Sequence, residues 1–213
     1  MGWEHRLSEG TRAQLEVYRK DYDRVPVLRD ADQVAPEGVL LNTGEKLVRG
    51  VDLLLEHARP SGLTLAATAS FSKALARDHL GGWFPDDFDY RRIAAVSVRV
   101  PTVAGVFAGL RWRYVGGRPF TLFPVERLPD GTYRPVPSAE GRNRLRYPAY
   151  RRLDLRLDRR FDFGGWGLSL FLEVQNLTNR ENVFSRQFNK RTGEFKDLKE
   201  FPRMTLLGII GDF

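Results

Sequence analysis

Acidic and basic residues recur at alternate positions along this 213-residue chain, which raises the question of what chemistry they could do. Asp154 and Asp158 form a pair of carboxylates, the residue type that general acid/base catalysis uses. Arginines flank both aspartates and no pocket is implied, so we predict no catalytic residues and a protein that is not an enzyme. His5, His57 and His79 show no ligand spacing, and cysteine is absent. Neither a metal site nor a cofactor is therefore predicted.

The charges belong to segments in which apolar and polar residues alternate with period two. In residues 150–163, Leu153, Leu155, Leu157, Phe161 and Phe163 occupy odd positions, and arginines and aspartates occupy the even positions from 152 to 162. Since successive side chains of a strand point to opposite faces, one face is apolar and the other charged. Helical periodicity is weak, and the alternation predicts an all-β chain. It recurs in residues 14–18, 51–56, 63–72, 94–100, 106–114, 166–175 and 203–213.

The connections between these segments alternate between short and long. The short ones fall at 8–10, 59–62, 101–105 and 164–165, and the long ones at about 24–43, 79–91, 117–149 and 181–201. Outer-membrane barrels have short periplasmic turns and long extracellular loops, and strands of about 9–11 residues cross a bilayer. The pattern predicts an antiparallel transmembrane β-barrel with about eight full strands of 10–14 residues and a partial first strand at 2–7. Aromatic residues at the strand ends suit two interfacial girdles: Phe161, Phe163 and Trp166 at one rim, Trp112 and Tyr114 at the other. Arg159 also falls on the apolar parity, and its place close to the turn at 164–165 predicts that it lies near the membrane interface.

Several stretches in order along the chain resemble the carboxy-terminal barrel portion of TonB-dependent outer-membrane receptors. They are residues 16–22, 49–53, 117–121, 147–156 and 176–183, and a last strand that ends on Phe213. The resemblance implies an outer-membrane protein that contributes to the uptake of a bulky ligand: a siderophore, cobalamin or a glycan. It implies as partners membrane lipid, lipopolysaccharide and the barrel assembly machinery, for which Phe213 would be the assembly signal.

The resemblance also supplies two sets of binding candidates. The lumen-facing candidates are Glu16, Asp52, Glu56, Arg99, Arg111, Arg113, Arg152, Asp154, Arg156, Asp158 and Glu173. The extracellular-loop candidates are Trp83, Phe84, Arg118, Arg127, Tyr133, Arg134, Arg142, Arg144 and Arg146. Arginine forks suit an anionic siderophore or lipopolysaccharide phosphates. The alternative is that the first set forms cross-strand ion pairs and the second a solvated rim loop.

The chain departs from this family in size. Receptors of this kind have about 22 strands and an amino-terminal plug domain. We expect residues 1–213 to be barrel throughout, with no plug domain, no TonB-engaging segment and no signal peptide, and so a fragment or truncated form. Plug and TonB would be partners only within a longer chain. Either the missing strands of a larger barrel are supplied from elsewhere, or the eight full strands close by themselves into a small barrel.

Two other classes stay open beside the receptor hypothesis. One is a soluble β-barrel or sandwich that binds a ligand or nucleic acid through basic loops, which the net charge of +7 would suit. The alternation argues against this class. It gives an apolar face that continues over seven or more strands, and the sequence predicts no second sheet or helix to cover that face. We therefore predict no nucleic-acid partner. The other class is a small passive outer-membrane barrel.

Overall fold

The computed structural model describes residues 1–28, 40–78, 81–136 and 141–213, and its regular structure is β apart from one 3-10 turn, Val103–Gly105. No helix in these ranges is long and apolar enough to cross a membrane. The strands are β1 (Gly2–Ser8), β2 (Thr11–Leu28), β3 (Leu40–Ala58), β4 (Thr64–Arg77), β5 (Trp83–Pro85), β6 (Arg92–Pro101), β7 (Val106–Val115), β8 (Pro119–Phe120), β9 (Val125–Arg127), β10 (Tyr133–Pro135), β11 (Leu145–Arg146), β12 (Tyr150–Asp162), β13 (Gly167–Gln175), β14 (Val183–Phe188), β15 (Phe195–Lys199) and β16 (Met204–Asp212).

Nine strands follow one another in one antiparallel sheet, in the order β1-β2-β3-β4-β6-β7-β12-β13-β16, and β5 pairs with the end of β4. Among the described residues, β1 pairs only with β2 and β16 only with β13, so the sheet is open at both edges. Closure into a small barrel, one of the two expected arrangements, is therefore not what this structure shows. Because neighbouring strands in the series are antiparallel, its first strand, β1, and its ninth, β16, run in the same direction.

The strand register confirms that the alternating residues separate onto two faces. Leu110 lies opposite Val98 and Leu155, and Arg111 lies opposite Asp154, so like residues meet across the strands. The apolar face carries Leu53, Val98, Leu110, Leu155, Leu172 and Leu207, and the polar face carries Asp52, Ser97, Arg111, Asp154, Glu173 and Leu206.

Almost no apolar side chain lies in an interior. Ala74 and Ala76 are the only hydrophobic residues that are buried among those described, whereas Leu207 and Ile209 on the apolar face are 82% and 69% exposed. An uncovered apolar surface of this extent marks contact with another apolar phase or partner. The described residues therefore do not bury this apolar face themselves, and its stabilisation requires an apolar environment or partner that the chain does not supply.

The short connections match the predicted turns, and two of the long connections, β7–β12 and β13–β16, carry short antiparallel strand pairs. β8 pairs with β11, β9 with β10, and β14 with β15. The expected loop at 24–43 is wrong in its bounds, because β2 and β3 run to Leu28 and from Leu40. Two register shifts between Tyr22 and Val27 keep these strands paired, so they reach 18 and 19 residues instead of 10–14.

The predicted aromatic clusters form at the strand ends. Phe163 stacks on Trp166 with ring centroids 4.5 Å apart, across the turn between β12 and β13. Trp112 stacks on Tyr114 at the other end of the sheet, at 6.2 Å. Arg159, which the sequence places on the apolar parity near this turn, lies 4.5 Å over the Phe161 ring. The stacking gives its charge a partner at the strand end.

Candidate binding surfaces on the polar face and the long loops

Asp154 is the shared acceptor at the centre of the polar face. Its Oδ1 accepts from Nε of Arg152 at 2.5 Å and from the backbone amide of Asn176 at 2.9 Å. Its Oδ2 accepts from Nη2 of Arg113 at 3.2 Å. The aspartate is 8% exposed, so these donors satisfy a carboxylate that has lost most of its water. This arrangement is structural and offers no acid/base pair with Asp158.

Two further ion pairs extend this network across the neighbouring strands. Arg156 donates to Glu173 at 3.1 Å, and Arg99 donates to Asp158 at 2.8 Å. Gln175 donates to the second oxygen of the Glu173 carboxylate at 2.8 Å. The cross-strand pairing that the sequence left open as an alternative is thus present for these residues.

Phenylalanines lie beneath the arginines of the polar face, which the sequence analysis did not anticipate. Arg99 stacks 3.7 Å over the ring of Phe107, and Arg156 stacks 4.0 Å over that of Phe171. A Cβ on Gly208 would come within 2.1 Å of the Phe171 ring, so the ring occupies the space above this glycine. These cation–π contacts hold the two guanidinium groups against aromatic rings.

A groove of 610 Å³ runs along the polar face between β6, β7, β12 and β13. Five arginines line it, against two carboxylates. Its charged and polar lining includes Ser97, Arg99, Arg111, Arg113, Arg152, Asp154, Arg156, Glu173 and Gln175. Within the described part of the chain, the Arg111 side chain makes no hydrogen bond or ion pair, and the enclosed Nε of Arg113 has no acceptor.

The acidic candidates on β2 and β3 lie apart from this groove. Glu16 lies directly opposite Asp52 in the register, so two carboxylates face each other. Asp52 accepts from the Ser70 hydroxyl at 2.6 Å, and Glu56 pairs with Arg12 at 2.7 Å. All eleven lumen-facing candidates share the polar face by register; that this face lines a lumen stays a prediction.

Asp89 is the anchor of the long connection between β4 and β6, and sequence reasoning missed it. Its side chain is fully buried and accepts hydrogen bonds from Arg146, from Nε of Arg91 at 3.3 Å and from the backbone amide of Ala74 at 2.9 Å. Arg146 also donates to the backbone oxygens of Asp89 and Gly117, at 2.5 and 2.9 Å. This loop candidate is therefore engaged within the protein.

Arg142 and Asn143 join the same two loops at a second point. Arg142 pairs with Asp78 at 2.7 Å and stacks 4.1 Å over the Phe84 ring. Asn143 is 5% exposed and donates to the Pro85 carbonyl and to the Asp87 carboxylate. The Asn143 side-chain amide thus links the β7–β12 loop to the β4–β6 loop through a backbone and a side-chain acceptor.

Two aromatic rings, packed against each other at a tilt, and two arginines connect the β7–β12 loop to β14. Tyr147 packs on Phe120 with centroids 4.6 Å apart. Arg118 lies 5.1 Å from the centroid of the Tyr147 ring, and Arg186 lies 4.7 Å from that of the Phe120 ring. Arg118 is thus held in a structural contact, which reduces its freedom to meet a ligand.

The remaining loop candidates divide into paired and exposed side chains. Arg134 pairs with Glu126, and Arg127 lies 6.0 Å from the Tyr133 ring. Trp83 is 46% exposed beside Arg77, and Arg144 is exposed. In the turn between β9 and β10, hydrogen bonds from Thr132 hold the pKa of Asp130 below its ordinary value. None of these contacts identifies a ligand. Phe213 follows β16 and is fully exposed, and His79 lies outside the described residues.

Asparagines in the 176–183 stretch tie the β13–β16 loop to the sheet. Asn176 donates to the Arg180 and Phe201 carbonyls and accepts from the Arg180 amide, while its backbone takes a φ of 53°. Asn182 accepts from the Arg151 amide at 3.0 Å and donates to the Arg151 carbonyl at 2.9 Å. The Asn182 side chain thereby makes the two backbone hydrogen bonds at Arg151 that a neighbouring strand would make. The sequence indicated only a strand end here.

Replacing Gly117 by alanine should disrupt the loop that holds Arg146. An added Cβ would come within 1.7 Å of the Tyr147 backbone oxygen, so one of the two chain segments has to move. We expect a loss of about 1–3 kcal/mol of stability, seen as faster proteolysis within residues 117–147. Gly165→Ala is the matched control, because nothing lies within 4 Å of its added Cβ. Equal proteolysis of the two variants would contradict the prediction.

The comparisons with known proteins agree with the fold. No protein-family model matches the chain, and no curated protein matches it. The ferric-catecholate import receptor Fiu from K12 E. coli is 16% identical, with a TM-score of 0.62 over 97% of this chain. The ferripyoverdine receptor of the outer membrane of Pseudomonas aeruginosa is 11% identical, with a TM-score of 0.60 over 99% of this chain.

The chain spans about a quarter of the length of these two receptors, since each match covers 26% of the other chain. At this identity the likeness establishes the fold alone. The predicted similarity to the barrels of TonB-dependent receptors is therefore confirmed at the level of fold. Both of these proteins are receptors. That this chain is not an enzyme stays a prediction.

Proposed function

We propose that the chain is the carboxy-terminal part of an outer-membrane receptor barrel of the TonB-dependent type. The single observation that carries this proposal is the nine-stranded open sheet with an uncovered apolar face and a charged face. Residues 1–213 would all belong to the barrel wall, with the apolar face in lipid. The whole receptor would take up a bulky ligand, such as a siderophore, cobalamin or a glycan.

The open edges support the larger barrel over a small passive one. Because β1 and β16 run in the same direction, antiparallel closure needs an odd number of additional strands. Single-chain bacterial barrels have even strand numbers, which agrees with this requirement. Unpaired edge amides in lipid cost several kcal/mol each, so the sheet would span a bilayer only with both edges paired. A soluble sandwich is disfavoured, because no second layer covers the apolar face in the described residues.

In this proposal the polar face and the long loops have separate roles. The polar face lines the lumen with the ion-pair network around Asp154, and the loops face the outside. The loop arginines mostly hold the loops in place, which leaves Arg144, Arg127 and Trp83 as the more exposed candidates for ligand contact. Lipopolysaccharide would meet the apolar face near the outer rim, and Phe213 would serve the assembly machinery.

Two adjacent leucines on β16 test the proposal. The register places Leu207 on the apolar face opposite Leu172, and Leu206 on the polar face opposite Glu173. A lysine on the lipid face costs about 2–4 kcal/mol at the bilayer midplane, whereas a lysine beside Glu173 remains in a polar environment. In the periplasm of a Gram-negative host, Leu207→Lys should therefore reduce the detergent-extractable membrane fraction, and Leu206→Lys should not. A monomer of the unmodified chain that is freely soluble without detergent would contradict the proposal.

A further inference from the structure

The arginine groove of the polar face holds more positive charge than its own acids neutralise. The Asp154 carboxylate is occupied by Arg113, Arg152 and the Asn176 amide. The other carboxylate of the groove, Glu173, is occupied by Arg156 and Gln175. Arg99 pairs with Asp158, just beyond the groove, so Arg111 is the one groove arginine whose charge has no partner in the described part of the chain.

Arg111 shows this excess most clearly. Asp154 lies directly opposite it in the register, but both oxygens of that carboxylate accept from other donors. The neighbour on the other side is Ser97, which carries no charge. Arg111 is exposed and makes no hydrogen bond or ion pair with a described residue. Its fork of donors is thus available in the groove.

Arg113 gives a second, independent observation two positions along the same strand. Its Nε is enclosed by protein and has no acceptor among the described residues. An enclosed donor without a partner is uncommon in a folded protein and calls for an acceptor that the chain does not itself supply.

The floor of the groove leaves room for a ligand. Gly109 lies opposite Arg99 on one side and Arg156 on the other, and it presents no side chain to the groove. An added Cβ would meet nothing closer than 3.8 Å. With a volume of 610 Å³ the groove falls within the range of about 300–1,000 Å³ that small-molecule sites occupy.

From these observations we infer that the groove binds a small oxyanion, a carboxylate or a phosphate, between Arg111 and Arg113. The planar guanidinium fork matches the two oxygens of such a group. Arg99 and Arg156 flank this site; each is held by an ion pair, with Asp158 and Glu173, and lies over a phenylalanine ring. The site depends on the polar face alone, so it can be absent while the proposed receptor function holds.

The test titrates the full 213-residue chain, in a non-ionic detergent, with citrate and with inorganic phosphate. Ionic strength is matched with NaCl, and the arginine Nε–H resonances are followed by NMR. We expect the Arg113 resonance to shift with at least one anion. A shift with citrate alone identifies a carboxylate site, one with phosphate alone a phosphate site, and shifts with both a general oxyanion site. The absence of a shift with either anion would overturn the inference.

Three variants assign the binding to this groove. Arg111→Gln should weaken binding at least about tenfold, because it removes a charged donor pair. Gly109→Val should weaken it similarly by filling the floor without changing the charge. Arg49→Gln removes an exposed arginine from the apolar face and should leave the affinity unchanged. Equal affinity in the unmodified chain and in Arg111→Gln would overturn the inference.

Discussion

Replacing Asp89 by asparagine should release the β4–β6 loop and reduce its local stability by about 3 kcal/mol. The Asp89 side chain is fully buried, and Arg146 and Arg91 donate to its carboxylate. Asparagine keeps nearly the same shape but removes the negative charge, so the Arg146 charge stays in the protein without compensation. Breaking a buried pair in this way is costly because the partner charge has lost its water.

Hydrogen exchange measures this effect directly, because the Ala74 amide donates to Asp89. We expect the Ala74 amide to exchange about a hundredfold faster in Asp89→Asn, with faster proteolysis of both residues 81–91 and residues 141–147. Asp21→Asn is the matched control, because it breaks an exposed pair with Arg19 and should leave both measurements unchanged. Unchanged exchange at Ala74 would show that Asp89 does not anchor the loop.

Replacing Asn176 by alanine should open the start of the β13–β16 loop, with a loss of about 2–3 kcal/mol. The side chain makes three hydrogen bonds, two with the backbone of Arg180 and one with the carbonyl of Phe201. Asn176 is only 3% exposed, so water cannot readily replace these partners. Its φ of 53° adds to the cost, because alanine adopts this left-handed conformation less readily than asparagine.

Trypsin provides the measurement, since Arg180 is a cleavage site within the loop. We expect cleavage after Arg180 to be at least tenfold faster in Asn176→Ala at the same protease concentration, because opening of the loop exposes the bond. Asn189→Ala is the control, because this exposed asparagine makes one side-chain contact, with the Arg191 amide. If the two variants are cleaved at Arg180 equally slowly, Asn176 does not hold the loop closed.

The sequence predicts the sheet well because strand geometry is local. Alternation within a strand determines which residues share a face, so the positions of Leu155 and Arg156 follow from parity alone. The order of short and long connections likewise places the turns without any knowledge of contacts. The long pairing of β2 with β3 was missed, because register shifts near Val25 let the strands continue where parity is broken.

The roles of individual side chains could not be predicted in the same way. Asp89 looked like one acid in an aromatic-rich loop, and its burial depends on Arg146, 57 residues further along. Parity places Arg156 on the polar face but does not show that Phe171 lies beneath it, which requires the register between two strands. Several arginines that are candidates for ligand binding hold loops together in the structure. The sequence does not separate these two roles, because the arginine side chain suits both.

Cysteine labelling of neighbouring residues on β6 tests the central claim, that one face of this sheet lies in lipid and the other in water. The chain has no cysteine of its own, so each introduced thiol is a single reporter. Ser97 lies on the polar face and Val98 on the apolar face, and both lie mid-strand. In isolated outer membranes, we expect a water-soluble maleimide to label Ser97→Cys readily and Val98→Cys hardly at all until detergent is added. Equal labelling of the two thiols before detergent would contradict this claim.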